Sequence, residues 1–205
     1  PADRFVVSTN GITRSQYEEL APVTEERGEP SDRLRVLYVG NVGLAQNLVT
    51  LLEAARRSPW IDVDIVGEGS DFERIRTLAE EVPNVYLSGR LAWHRIPQRY
   101  QWADVLYAQL SPDFASAMPS KLYEYLATGK PIIFGGHGEA PAFLEQFEHV
   151  VTIEPDNVQA LVEAVQKFKT KKIRGRLNRG APEFVAEHYI REDAVECVYR
   201  KLLER

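Results

Sequence analysis

A chain of 205 residues carrying a formal charge of −5, with 44% hydrophobic and 27% charged residues, has the balance of a globular protein with enough length for a sizeable core. The acidic balance argues against a dedicated nucleic-acid binder, and the single cysteine, Cys197, excludes an internal disulfide and a zinc framework. No stretch approaches an apolar membrane span and no secretory signal opens the chain, so a cytoplasmic location is the expectation.

The chain opens at Pro1, without an initiator methionine, and runs straight into an apolar stretch; a piece of a longer protein is expected. Residues 4–8 (RFVVS) read as a strand ending in the turn signal Thr-Asn-Gly at 9–11. Residues 17–33 are polar, contain Pro22, Gly28 and Pro30, and read as a loop. Residues 35–39 (RVLYV) make a buried strand, followed by the glycine turn GNVG at 40–43. A helix over 47–57 comes next, with Leu48, Leu51, Leu52 and Ala55 on one face. The alternation then repeats: strand 61–67 ending in GEGS, amphipathic helix 72–81, strand 84–89, short helix 96–102, and strand 104–110 leading into the loop SPDFASAM.

The segment PSKLYEYLATGKP at 119–131 is organised as a helix. Pro119 suits its first turn, Ser116 or Ser120 can cap it, and Leu122, Tyr125 and Leu126 form a buried face. Gly129 provides a left-handed stop before a strand at 132–134. The loop GGHGE opens a helix near 140–146, followed by strand 150–153 and helix 158–168. Two further helices, at 182–190 and 194–204, are expected to pack outside, with Cys197 read as a buried helix residue.

Short strands alternating with helices imply an α/β protein with a doubly wound, parallel, Rossmann-like sheet. Residues 1–205 are expected to form a single domain, with an opening strand and loop at 1–33 and C-terminal helices at 170–205. Ligands of such sheets bind beyond the carboxyl ends of the strands, where the strand order reverses. Every unusual loop here follows a strand, so one rim carries the special residues.

The glycine loops do not make a dinucleotide fingerprint. After Val39 the spacing is Gly40-x-x-Gly43, and after Val66 it is Gly67-x-Gly69 with Phe72 where a third glycine is needed. No G-x-x-x-x-G-K-[ST] loop is present. Gly40 and Gly43 would let backbone N–H groups approach a phosphate, or simply form a tight turn. Lys121 is the sharper signal. Free N–H groups in the first turn of a helix attract an anion, and a cation there opposes the helix dipole, which favours a function over stability. Glu124, one turn on, can accept two hydroxyl hydrogen bonds; a phosphate cation beside a diol carboxylate suits a nucleotide, although a solvated lysine–glutamate surface pair fits the same spacing. Arg90, after Gly89, can face a base or phosphate, or make a surface ion pair. His137 lies between Gly136 and Gly138 on the same rim, and Glu139 opens the next helix. The four histidines do not cluster, so no metal site is expected. Residues 167–179 hold seven basic residues and no acid, with Phe168, Ile173 and Leu177 interleaved; an anionic membrane surface is one partner for them, and a solvated helix end is the alternative.

In this order and spacing, GNVG, GEG, GRL, PSKLYEYLATGKPII and GGHGEAP resemble the C-terminal, nucleotide-sugar-binding half of GT-B glycosyltransferases. The pattern is most similar to the retaining group 1 (family 4) enzymes, of the type that builds bacterial surface polysaccharides. The resemblance runs over residues 6–203, and Thr9 to Gly11 match the family's Pro-Asn-Gly turn. It implies that Glu124 is the second carboxylate of the E-x7-E motif, on the ribose hydroxyls. It puts Ser120 and Lys121 at the helix start that meets the diphosphate, with Gly40, Asn41 and Gly43 in the loop facing it, and counts Pro119 and Leu122 among the substrate-binding residues. It makes Gly67, Glu68, Gly69, Gly89 and Arg90 the wall around the base. Asn41, and Gln46 or Asn47, stand where many relatives hold an arginine and a lysine, and Ser116 stands at the first carboxylate of E-x7-E. Lys121 is then expected to carry more of the diphosphate charge, with His137, Gly138 and Glu139 facing the donor sugar. Lys121, Glu124 and Glu139 are the implied catalytic set.

The implied activity is metal-independent transfer from a nucleotide-diphosphate sugar, a UDP-sugar, with no cofactor. The acceptor is a sugar or lipid-linked sugar bound by a separate N-terminal domain, so this chain alone is expected to bind donor without transferring it. The enzyme would work in the cytoplasm, peripheral at the inner face of the membrane through 167–179. A sugar-nucleotide 2-epimerase with His137 and Glu139 near the sugar, and a non-catalytic interaction domain of the same fold, are the alternative readings.

Overall fold

Valine, isoleucine and leucine fill the centres of six strands, the composition that a sheet covered on both faces demands. These are Leu34–Val39 (β1), Ile61–Val66 (β2), Val85–Gly89 (β3), Val105–Gln109 (β4), Ile132–Gly135 (β5) and Val150–Ile153 (β6). The computed structural model describes residues 10–24, 31–114, 117–170 and 176–203. Within it the strands form one all-parallel sheet in the order β3-β2-β1-β4-β5-β6. Every residue of β4 is buried, whereas β3 and β6, at the two edges, are half exposed. The order reverses between β1 and β4, which pair with Val36 beside Val105 and Leu37 beside Leu106.

Helices cover both faces. Val49–Arg57 (α2), Phe72–Ala79 (α3) and Val158–Thr170 (α7) pack on Val36, Tyr38, Val63, Ile65 and Tyr107. Ile96–Trp102 (α4), Lys121–Ala127 (α5), Glu139–Leu144 (α6) and Gly180–His188 (α8) pack on Leu37, Val66, Leu106 and Phe134. Each fully buried leucine or isoleucine in these layers contributes about 1.5–3 kcal/mol.

Residues 17–33 are not all loop. A helix, Arg14–Leu20 (α1), is followed by a 3₁₀ turn, Ala21–Thr24. The Thr13 hydroxyl accepts from the Gln16 N–H at 3.1 Å, and the Thr13 N–H donates to Gln16 Oε1 at 3.0 Å. This reciprocal capping box satisfies two N–H donors, and Leu20 and Val23 then bury completely. The strand expected at 4–8 lies outside the described residues. Ile12, a few residues later, is anchored to the C-terminal region: its N–H donates to Tyr189 O at 3.0 Å, and its carbonyl accepts from the Arg191 N–H at 2.9 Å.

The helix expected from 47 starts at Val49, because Leu44–Gln46 forms a 3₁₀ turn and Asn47 is left-handed (φ 36°). The last helix, Arg191–Leu203 (α9), corrects another expectation: Cys197 is exposed on it. Val195, Tyr199 and Leu203 are exposed beside it, because none of the described residues covers that side. Phe168 is buried in the core and Lys169 Nζ sits 4.4 Å over the Trp60 ring, so neither stands free for a membrane surface. Residues 171–175 of that basic stretch lie outside the described residues. No helix among the described residues is long and apolar enough to cross a membrane.

Candidate functional site

Successive residues of a strand point to opposite faces, so Val39 enters one helix layer and Tyr38 the other. The turns after β1 and β2 then lock together. The Gly40 N–H donates to Val66 O at 2.9 Å, Val42 N–H to Glu68 O at 2.9 Å, and Gly67 N–H to Gly89 O at 2.8 Å. A Cβ on Gly67 (φ 139°) would lie 1.8 Å from Gly40 O, so only glycine permits this approach. The result is a crevice of about 310 Å³ over the tips of β1, β2 and β3. Gly40, Asn41, Gly67, Glu68 and Arg90 line it, with Val39, Val66, Leu91 and Ile96 as its apolar wall. Gly43, Gly69 and Gly89 belong to the same turns; a Cβ on Gly69 would lie 2.4 Å from Val42 O.

Asn41 and Gln46 bond each other: Asn41 Nδ2 donates to Gln46 Oε1 at 3.1 Å, and the Gly43 N–H reaches the same oxygen at 3.2 Å. Two neutral amides thus close the turn, and neither brings a charge to it. The cation comes from across the sheet. Lys121 Nζ donates to the Tyr38 hydroxyl at 2.5 Å and sits 4.0 Å from the centre of the Tyr38 ring. A Cβ on Gly40 (φ 147°) would meet Nζ at 2.7 Å, so a side chain there would displace the amine from this position. The Tyr38 hydroxyl donates in turn to Asn41 O. Burial pushes the Lys121 amine down to about 7, opposed in part by Glu124.

Lys121 and Glu124 do not form the surface pair that their spacing allows. Glu124 Oε2 accepts from the Tyr100 hydroxyl at 3.2 Å. Burial raises its pKa, against the lowering effects of Tyr100, Lys121 and Arg191. The start of α5 also differs from expectation. Ser120 takes helical angles and makes no capping bond. The Leu122 and Tyr123 N–H groups donate to Pro119 O and Ser120 O at 3.1 and 3.2 Å. Those two N–H groups are therefore engaged, and the full positive charge at this helix start is the Lys121 amine. Leu122 is completely buried and offers the crevice no side chain. Pro119 is half-buried, and Ser116 lies outside the described residues.

Across β5 and β6, His137 Nε2 lies 3.0 Å from Glu154 Oε1. Gly138 (φ 77°) and Glu139, at the start of α6, are exposed. Gln109 is a rim residue that sequence reasoning missed. Fully buried at the tip of β4, it donates to Asn47 O at 3.2 Å and Asp156 Oδ1 at 2.9 Å, and accepts from the Asp156 N–H at 3.0 Å. It thereby pins the rim loops after β1 and β6 to β4. Tyr38 and Tyr100 were missed as well, because in the sequence they read as ordinary core aromatics. Among the described residues, no three His, Cys, Asp or Glu side chains gather as a metal site would require.

A doubly wound parallel sheet with its glycine turns and polar residues gathered beyond the carboxyl ends of the strands is a Rossmann-like fold. Two solved structures share it: sucrose-phosphate synthase from Thermosynechococcus elongatus (TM-score 0.78, 19% identity, 97% of this chain and 53% of that one), and HepE from Anabaena, solved with UDP and glucose (TM-score 0.74, 15% identity, 100% and 58%). At such identities they show the fold alone. The model of the glycosyl transferases group 1 matches residues 23–183, and the chain belongs to that family. WcaI of Escherichia coli K12, whose name assigns it to colanic acid biosynthesis as a glycosyl transferase, is 28% identical over 175 residues, covering 80% of this chain and 43% of its own length. The chain thus spans less than half the length of that curated relative.

Proposed function

We propose that this chain is the donor half of a retaining, metal-independent glycosyltransferase of polysaccharide synthesis. It binds a nucleotide-diphosphate sugar, in this reading a UDP-sugar. The glycosyl group passes to an acceptor sugar or lipid-linked sugar held by a part of the enzyme outside these residues. The observation that carries the reading is the Lys121 amine, held over Gly40 at the reversal of strand order. The leaving diphosphate gathers negative charge as the glycosidic bond breaks. The Lys121 amine, already oriented and favoured in its charged form by the diphosphate, stabilises that charge more in the transition state than in the ground state. Glu124 accepts the ribose hydroxyls, and the crevice beside Arg90 takes the base. HepE, solved with UDP and with UDP-glucose, supports the choice of nucleotide, and the name of WcaI supports the polysaccharide. The engagement of His137 by Glu154 favours this reading over an epimerase that needs the imidazole at the sugar.

Calorimetric titration of UDP, GDP and NAD into the 205-residue chain tests it. UDP is expected to bind at one site, GDP more weakly and NAD not at all, with the UDP affinity unchanged by a chelator. Failure of both diphosphates to bind would overturn the reading. Sugar transfer catalysed by this chain alone would overturn the assignment of the acceptor site.

A further inference from the structure

Building on the donor-binding reading, we infer that Tyr38 is the positioning residue for Lys121. Its hydroxyl ties the amine to the Asn41 carbonyl, so that the cation and the turn at 40–43 are held as one unit.

The polarity of the bridge is fixed by counting protons. A phenol has one proton, and a carbonyl oxygen can only accept, so the Tyr38 proton is committed to Asn41. Lys121 must therefore be the donor in its contact with the same hydroxyl. The tyrosine cannot drift: it is completely buried, at the end of central strand β1. Its ring, 4.0 Å below Nζ, holds the amine from a second direction.

The chemistry of the partner matters as much as its position. Burial raises the Tyr38 pKa, so the phenol stays neutral. A neutral acceptor orients the amine without cancelling its charge, whereas a carboxylate in that place would compete with an incoming phosphate. Because Asn41 and Gln46 carry no charge, the turn depends on the amine delivered through Tyr38. The other groups nearby leave this arrangement intact. Glu124 lies one turn along α5 and acts on Lys121 through space, while Tyr100 from α4 and Arg191 from α9 act on Glu124.

The test is Tyr38→Phe in the full chain, which keeps the ring and removes the hydroxyl. UDP affinity is expected to fall about tenfold, the loss of one hydrogen bond to a charged group, while uridine, which has no phosphate, binds as before. The alkaline decline in UDP affinity is expected to move to lower pH, because an amine without its acceptor neutralises more readily. In a Lys121→Met background, Tyr38→Phe is expected to change UDP affinity no further. Equal losses for UDP and uridine, or additive losses in the double variant, would make Tyr38 merely structural and overturn the inference. Amide exchange gives a reading without a Tyr38 variant: saturating inorganic pyrophosphate is expected to slow exchange at 41–43 in the wild type and not in Lys121→Met. Equal slowing in both overturns the coupling. A wild type that binds no UDP at all overturns the donor reading as well, which a Tyr38→Phe variant binding as tightly as wild type does not.

Discussion

Lys121 and Lys130 stand at opposite ends of one segment, PSKLYEYLATGKP, and both bring an amine into the interior. Lys130 is 7% exposed, and its Nζ donates to Ala103 O at 2.9 Å and Gln101 O at 3.4 Å. Those carbonyls lie where α4 ends, at the negative pole of a helix, so the amine completes a helix terminus. Lys121 meets a hydroxyl and a ring face instead, neither of which carries charge. A buried cation that donates to carbonyls holds a fold together; a half-buried cation whose direct contacts are a hydroxyl and a ring is poised for an anion from outside.

Three substitutions or titrations bear on that contrast. The largest effect is expected from Lys130→Ala, which orphans helix-end carbonyls and should lower the free energy of unfolding by about 3 kcal/mol. Urea denaturation measures the loss, and the folded fraction should bind UDP as wild type does. If stability holds while UDP binding disappears, the two lysines have been assigned the wrong way round. Next comes Lys121→Ala, expected to weaken UDP binding by about 1.5–3 kcal/mol. Its melting temperature should hold or rise, because burial disfavours this charge more than Glu124 supports it. A melting temperature that drops as far as that of Lys130→Ala would erase the distinction.

The smallest effect is the pH dependence. With its pKa near 7 in the free protein, against an ordinary value of 10.5, the Lys121 amine is largely neutral at pH 8. A bound diphosphate favours the ammonium, so the complex holds more protons than the free protein, and affinity falls as pH rises above 7. The fall should be about fivefold from pH 7 to 8, with proton uptake visible in calorimetry as a dependence on buffer ionisation enthalpy. For folding the sign is opposite: the unfolded chain holds the extra proton between about 7 and 10.5, so the contribution of Lys121 to stability rises with pH across that window. Binding that is independent of pH would mean that the amine enters the complex already charged.

Much of the framework was legible in the sequence, because its signals are local. Strands β1, β2, β4 and β6 and helix α4 lie at or within a residue or two of where apolar runs and periodicity put them. Gly129 takes the left-handed angle (φ 63°) expected of a helix stop. Helix α1 was hidden because Pro22, Gly28 and Pro30 drew attention from the Thr13 and Gln16 capping box, which lies just ahead of them. The exposure of Cys197 was hidden for another reason: helical periodicity tells which residues share a face, and a neighbouring layer decides whether that face is covered.

The sequence by itself determined the alternation of strand and helix, the glycine turns at the strand tips and the membership in a family, since each depends on residues close together along the chain. Only the tertiary structure decided what Lys121 touches. Tyr38 lies 83 residues before it, on a strand that the order of the sheet sets beside β4. Hydrogen-bond partners so far apart in the chain leave no local pattern, and the strength of the amine's charge depends on the burial that only packing creates.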